Sequence, residues 1–425
     1  MKKSALLYAV LVIAPLGLVS CSGAYGGANV TKPPSGLTER VLASQSASSP
    51  SASPGLIIVN GFNDTVGRGG ISAGSSPTFM ETSPERATLL AFDSATNKVD
   101  VVSTTKETTT GSIQLPGPTT SIAVPQAGVA FAAVPTAPLN GSSPGAVVEM
   151  NLTAMGITAT ISVPNAQTVI SNSGATQLLV FSSDSDAVTI VSPLLLNTGS
   201  PVTVAVPGFD RPVYGFFSGS SVYILNCGAE CGGTQASVQI LNLATTPPTA
   251  GALVPVDGAT IGFLNGSTLY VAGNSPANSL CTGETTAAKT CGRLDTVDLG
   301  SMTVTSSAVI TDGYHDRIDL GLNSQLFIGS HTCTNVGNVN NVTGEVRGCL
   351  SIYNVNNGSV VIPPDNGDVT GLQSFTTRYV EYVAEGGNLR VYDTITDVLL
   401  DNDFISTGTI VITGVITDVK AVDFF

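Results

Sequence analysis

The chain contains two histidines in 425 residues, His315 and His331. An imidazole is the side chain best suited to move protons near neutral pH or to hold zinc. Asp312 and Asp316 flank His315, and Arg317 and Asp319 follow it. If residues 315 and 331 lie on the two arms of a hairpin turning near Asn323, they meet at its open end. A His/His/Asp metal site is then conceivable, and so are two solvated histidines. The pattern alone assigns no catalytic residue and no metal ligand.

The remaining short motifs stop short of a mechanism. Gly141-Ser142-Ser143-Pro144-Gly145 has nucleophile-elbow spacing. That motif needs a strand-to-helix turn, whereas this one lies in a Pro/Ser/Gly stretch between strands. Asp365-Asn366-Gly367-Asp368 and Asp401-Asn402-Asp403 offer oxygens to calcium but suit surface turns equally, with no calcium-loop pattern after them. Gly67-Arg68-Gly69-Gly70 lacks the lysine and helix of a phosphate loop. No cofactor is assigned.

The elements that must position these residues are strands. With 46 Gly, 24 Pro and 11% charged residues, the composition favours short strands and turns. An apolar strand recurs seven times, starting at Leu56, Val129, Leu178, Val222, Leu269, Leu326 and Val380. A second strand follows each. Six of these end at Asp93, Asn151, Asn242, Asp298, Asn354 and Asp393, short polar side chains that can bond the backbone of a tight turn. The copy at 187–191 runs on into Ser192-Pro193 instead. Another strand precedes each apolar one, at 121–124, 168–171, 213–217, 260–264, 317–322, 372–376 and 419–425. The last has no successor and the first unit has no predecessor. Residues 419–425 are therefore expected to close a ring as the innermost strand of the first unit, beside Leu56–Val59.

A period of about 45 residues with several strands each is the signature of propeller blades. On this strand order and its Asp/Asn turns, residues 55–425 resemble seven-bladed β-propellers of the YVTN and WD40-like superfamily. The resemblance implies an all-β ring of seven four-stranded blades around a channel. It speaks for fold and not for activity. The absence of Trp argues against the tryptophan-docked quinoprotein propellers. A two-sheet sandwich or a pair of smaller β domains is the alternative arrangement.

In such a ring the extra length falls in loops on one face, at 60–88, 135–145, 227–236, 274–292 and 331–348. Insertions on one face build binding surfaces. Cys227/Cys231, Cys281/Cys291 and Cys333/Cys349 each accompany one of these loops. Six cysteines allow 15 pairings. Placing each pair on its own blade favours the three local disulfides as loop clamps, and the spacings match no standard zinc pattern.

The N-terminus reads MKKSALLYAVLVIAPLGLVSC, with a basic start, an apolar run and Leu18-Val19-Ser20-Cys21. This resembles a bacterial lipoprotein signal. The resemblance implies cleavage before Cys21, a diacylglyceryl thioether there, and palmitate-type acylation of the new N-terminus. An ordinary signal peptide, or an uncleaved anchor helix, is the alternative. Ser22 after the Cys is the outer-membrane pattern if the cell is Gram-negative. Residues 22–54 read as a Ser/Gly/Pro tether reaching about 30 Å.

With 16 basic against 30 acidic residues the chain carries a net charge of −14, which repels phosphate backbones and excludes nucleic acid as a partner. The expectation is a monomeric, lipid-anchored propeller at the cell envelope. It would serve as a non-enzymatic binding or scaffold module, engaging an envelope protein or glycan through its long loops. The alternative is a lactonase-like hydrolase or lyase at the top of the channel, where His315, Asp316, Arg317 and Asp319 would gather.

Overall fold

The computed structural model describes residues 32–47, 53–139, 143–192, 202–275, 292–333, 349–363, 367–375, 377–402, 405, 407–423. A strand with both faces apolar, such as Val129–Val134, is wholly buried. Strands that alternate, such as Thr108–Gln114, expose one face. The first kind must lie mid-sheet and the second at a rim. The described strands form eight antiparallel sheets in a ring, each four strands deep, with Thr409–Ile410 added to the eighth.

The fold is a β-propeller of eight blades, not seven. Blade 1 runs from Val415–Ala421 at the axis through Arg40–Ser46 and Gly55–Asn60 to Thr65–Ile71 at the rim. Blade 2 is Pro77–Thr82, Thr88–Asp93, Lys98–Ser103 and Thr108–Gln114. The innermost strands of blades 3 to 8 are Ser121–Gln126, Ala166–Ser171, Pro212–Ser218, Ile261–Asn265, Tyr314–Leu320 and Val369–Ser374. We call the face where these strands begin the upper face and the opposite one the lower face.

The missing blade was hidden between residues 56 and 129. The expected loop 60–88 is no loop: it contains the rim strand of blade 1 and the innermost strand of blade 2. Leu56–Val59, which the apolar pattern aligns with the second strand of the other blades, belongs to the third of blade 1, and the second is Arg40–Ser46. Asn60, not Asp93, therefore supplies blade 1 with its polar turn, accepting a bond from the Phe62 amide at 3.1 Å. Asn151, Asn242, Asp298, Asn354 and Asp393 make the same turn as expected. Asp93 also binds a turn amide, but at the second-to-third corner of blade 2.

The boundary of the propeller moves too. Arg40–Ser46 pairs with Gly55–Asn60 on one side and Val415–Ala421 on the other, so the fold begins well before Gly55. The C-terminal strand is innermost, as expected, but its neighbour is Arg40–Ser46 and not Leu56–Val59. Residues 32–47 thus sit on the ring, and only 22–31 are left between Cys21 and the described chain.

Two ion-pair clusters on the lower face fasten blade 1 to its neighbours. Arg40 binds Asp423 through Nε at 2.8 Å and Nη2 at 2.6 Å, and Glu107 of blade 2 at 2.9 Å. Arg378 of blade 8 forks onto the fully buried Asp64 of blade 1 at 2.8 and 2.7 Å, with the Tyr382 hydroxyl also donating to Asp64. Around the axis, side chains of one innermost strand satisfy the open edge of the next. Asp418 accepts from the Met80 amide at 2.7 Å, and Asp319 from the Ser374 amide at 2.7 Å. Glycine lets the strands converge there: a Cβ on Gly371 would lie 2.7 Å from Asp418 and 2.9 Å from the Val419 amide.

Removing one partner of a buried pair leaves the other charge stranded, at about 3–5 kcal/mol. Arg378→Met should lower the unfolding free energy by about that amount in urea denaturation. Deleting residues 1–31 should preserve cooperative melting, whereas deleting 1–54 should abolish it; equal melting of the two truncations would refute the closure by Arg40–Ser46.

Candidate functional site

Converging innermost strands leave a channel of about 940 Å³ along the axis. Residues of all eight innermost strands line this space. Blades 5 and 6 contribute Tyr214, Phe216, Ile261 and Phe263, an apolar wall on which Tyr214 and Phe216 lie tilted with ring centroids 5.3 Å apart. Blades 1, 2 and 7 contribute Asp418, Lys420, Glu81, Asp316 and Arg317. The channel is two-sided, aromatic against charged.

Electrostatics follow from burial. Burial pushes Glu81 up, partly offset by Lys420. Burial would lower Lys420, but Asp418 and Glu81 outweigh it and hold its ammonium above the usual value. Burial, helped by the Glu81 charge, pushes the Tyr214 phenol up to about 12. Beside the channel, burial and then the Asp319 charge push Glu381 well above the ordinary carboxyl value.

The upper mouth gathers Asp184, Arg211, Asp316, Arg317 and His331. Arg317 reaches Asp316 at 3.1 Å, and His331 Nε2 lies 3.0 Å from Asp316 with Nδ1 3.7 Å from Asp368 of blade 8. The hydrogen bond to Asp316 raises His331 above its ordinary value against the opposing effect of burial. Among the described residues its ring faces the carboxylates of Asp316 and Asp368, not a hydroxyl or thiol it could activate. Arg317 Nε also donates to the Thr370 carbonyl at 2.7 Å, which fixes it to blade 8.

The two histidines do reach the same upper end, but they do not face each other. In the blade 7 hairpin, His315 lies opposite Ser330 and His331 opposite Tyr314, so the rings leave opposite faces of the sheet. His315 is completely buried and donates Nε2–H to the Thr311 carbonyl at 2.8 Å. Asp319 is spent on the Ser374 and Leu320 amides. No group of three or more potential ligands for a metal ion forms among the described residues. His331, Asp316 and Arg317 stay together at the mouth, while His315 and Asp319 are structural.

Two local disulfides form as expected, Cys227–Cys231 and Cys333–Cys349, both at upper-face corners of blades 5 and 7. Cys231 itself borders the channel. Cys21, Cys281 and Cys291 lie outside the described residues, as do Gly141, Ser142, Asp365, Asn366 and Asp403. Sequence reasoning missed a second recess of about 200 Å³ beside the Cys227–Cys231 corner. There Glu230 accepts from the Asn274 amide at 2.8 Å and its Nδ2 at 3.1 Å, and burial raises the acid to about 7.

No family model matches the chain, and no curated protein matches it in sequence. Solved structures do match in shape. A dihydro-heme d1 dehydrogenase, NirN, in complex with DHE is similar at a TM-score of 0.62 and 10% identity, covering 92% of this chain and 79% of that one. The designed protein Ika8 gives 0.55 at 9% identity, over 83% and 96%. The β-propeller domain of Cps50 (Swd1) from Myceliophteria thermophila gives 0.51 at 9% identity, over 77% and 97%. What they share with this chain is the β-propeller fold.

The buried His315 makes acid stability testable. Its folded value, about 4, lies below the ordinary 6.5. The unfolded chain therefore takes up the proton first, and stability is lost as pH falls from 6.5 through 4. A shift of that size corresponds to about 3 kcal/mol. Urea melts across this window should show a flatter pH dependence by about that amount in His315→Asn; an unchanged slope would contradict the buried neutral imidazole.

Proposed function

We propose that the chain is a lipid-anchored β-propeller of the cell envelope that binds an envelope protein without chemistry. The observation that carries this reading is the channel of about 940 Å³, open at an upper mouth ringed by charges of both signs over an aromatic wall. A protein segment with one apolar anchor and flanking charges matches that combination. Residues whose partners are already chosen by the fold make a stable surface, and the two disulfides hold the adjacent corners. The lipobox at Leu18–Cys21 supports anchoring at Cys21, and tethering raises the effective concentration toward partners on the same membrane.

The hydrolase or lyase reading has one specific observation behind it, the His331–Asp316 pair at the mouth. Against it stands the absence, among the described residues, of a nucleophile bonded to that imidazole. NirN lends the fold and no residue correspondence at 10% identity.

Arg211→Glu combined with Phe263→Ser should abolish co-purification of envelope proteins from solubilised membranes while leaving the melting temperature within a few degrees of the parent. Retained capture would place the binding surface elsewhere. Turnover of a lactone that His331→Ala eliminates would replace the binding reading by the enzymatic one.

A further inference from the structure

The lower face carries an apolar patch that the fold does not explain. Phe62 is 70% exposed, Tyr379 53% and Ile395 58%. All three sit on lower-face turns of blades 1 and 8, where polar turn residues are the rule. Hydrogen bonds hold these turns side by side. Arg378 donates to the Gly61 carbonyl and to Asp64, on either side of Phe62. Thr394, next to Ile395, donates its amide to the Tyr379 carbonyl at 2.9 Å. The three exposed side chains thus sit on turns bonded to one another across the junction of blades 1 and 8.

The chain enters the fold on this same face. Ser35 donates from its amide and hydroxyl to Glu107, in a lower-face turn of blade 2, both at 2.6 Å. Arg40 then leads upward from the lower end of blade 1. Because residues 32–47 belong to the ring, the span from Cys21 to the fold shrinks to residues 22–31. At ordinary chain dimensions a span of ten residues reaches roughly 18 Å. A chain acylated at Cys21 is held with its lower face toward the bilayer and its channel mouth away from it.

We infer that Phe62, Tyr379 and Ile395 form a membrane-contact surface that seats the lower face on the lipid interface. This rests on the lipid-anchor reading above, which supplies the tether. Aromatic and aliphatic side chains partition into that interface without basic residues. With a net charge of −14 the contact is apolar in origin, so it operates on zwitterionic lipid and resists salt.

The absence of tryptophan makes the test direct. Phe62→Trp places the sole indole on the patch, and Tyr314→Trp places one at the channel mouth of the upper face. Each lipidated protein is reconstituted in phosphatidylcholine vesicles containing brominated lipid, after mass spectrometry of Cys21. The indole at 62 should shift to the blue and lose at least half its emission to the quencher, in low and high salt alike, while that at 314 stays unquenched. Equal quenching at the two positions, or none at 62, overturns the inference. If Cys21 carries no acyl chain, the anchor reading fails independently, and flotation of the unacylated protein with the same vesicles decides the patch. A tenfold loss of flotation in Phe62→Ser/Tyr379→Ser/Ile395→Ser then supports it and no loss refutes it. A lipid-free dimer that the triple variant dissociates assigns the patch to self-association instead.

Discussion

Everything in the ring depends on one pairing between the two ends of the chain. Val415–Ala421 lies along Arg40–Ser46, and with it blade 1 becomes a four-stranded sheet. Without it, blade 1 loses its axial strand and the edge of Arg40–Ser46 is bare. Open edges of this kind template aggregation, and closure removes them. The cost is that strands nearly four hundred residues apart must meet, which is entropically slow but thermodynamically modest, because closure entropy grows only logarithmically with loop length. The Arg40–Glu107 and Arg378–Asp64 pairs sit at the two seams flanking this blade. Their burial makes each a weak source of net stability but an expensive one to break, which suits a closure that must be specific.

The same constraint builds the channel. Eight strands that converge on an axis cannot pack their side chains as a solid core, so their residues line a cavity of about 940 Å³. The backbone edges exposed there are satisfied across blades by Asp418, Asp319 and Arg317. Several charges that look functional in sequence are therefore structural. What such bonds do not use is the aromatic wall of blades 5 and 6, above which the charges of the mouth pair with one another. The two faces are then unlike: disulfide corners and channel mouth above, the chain entry and an apolar seam below.

Much of this was legible in the residues. Apolar strands recurring about every 45 residues give blades, because each blade cannot bury its faces without a neighbour. The Asp/Asn turns were readable because they are local: Asn151 or Asp298 needs only its own next few amides. Cys227 and Cys231 were readable as a pair for the same reason, being four residues apart. The C-terminal strand as the closing element followed from a count of unmatched strands.

What the sequence left open was every question of long-range register. Pro77–Thr82 carries no strong strand pattern, and Glu81 in it makes the segment look like a loop, because its charge faces a channel that exists only once eight blades have closed. Arg40–Ser46, with Arg, Ser and Gln among its seven residues, reads as tether, because its polar side chains are satisfied by the C-terminal strand and by blade 2. Hence one blade was missed and the boundary set late. His315 and His331 differ by which face of one hairpin they leave, a choice made by the bulge between His315 and Arg317 and by packing. Local chemistry fixes turns, strands and nearby cysteines, since their partners lie within a few residues. Blade number, the chain's closing partner and the fate of each charge are settled only when distant edges meet.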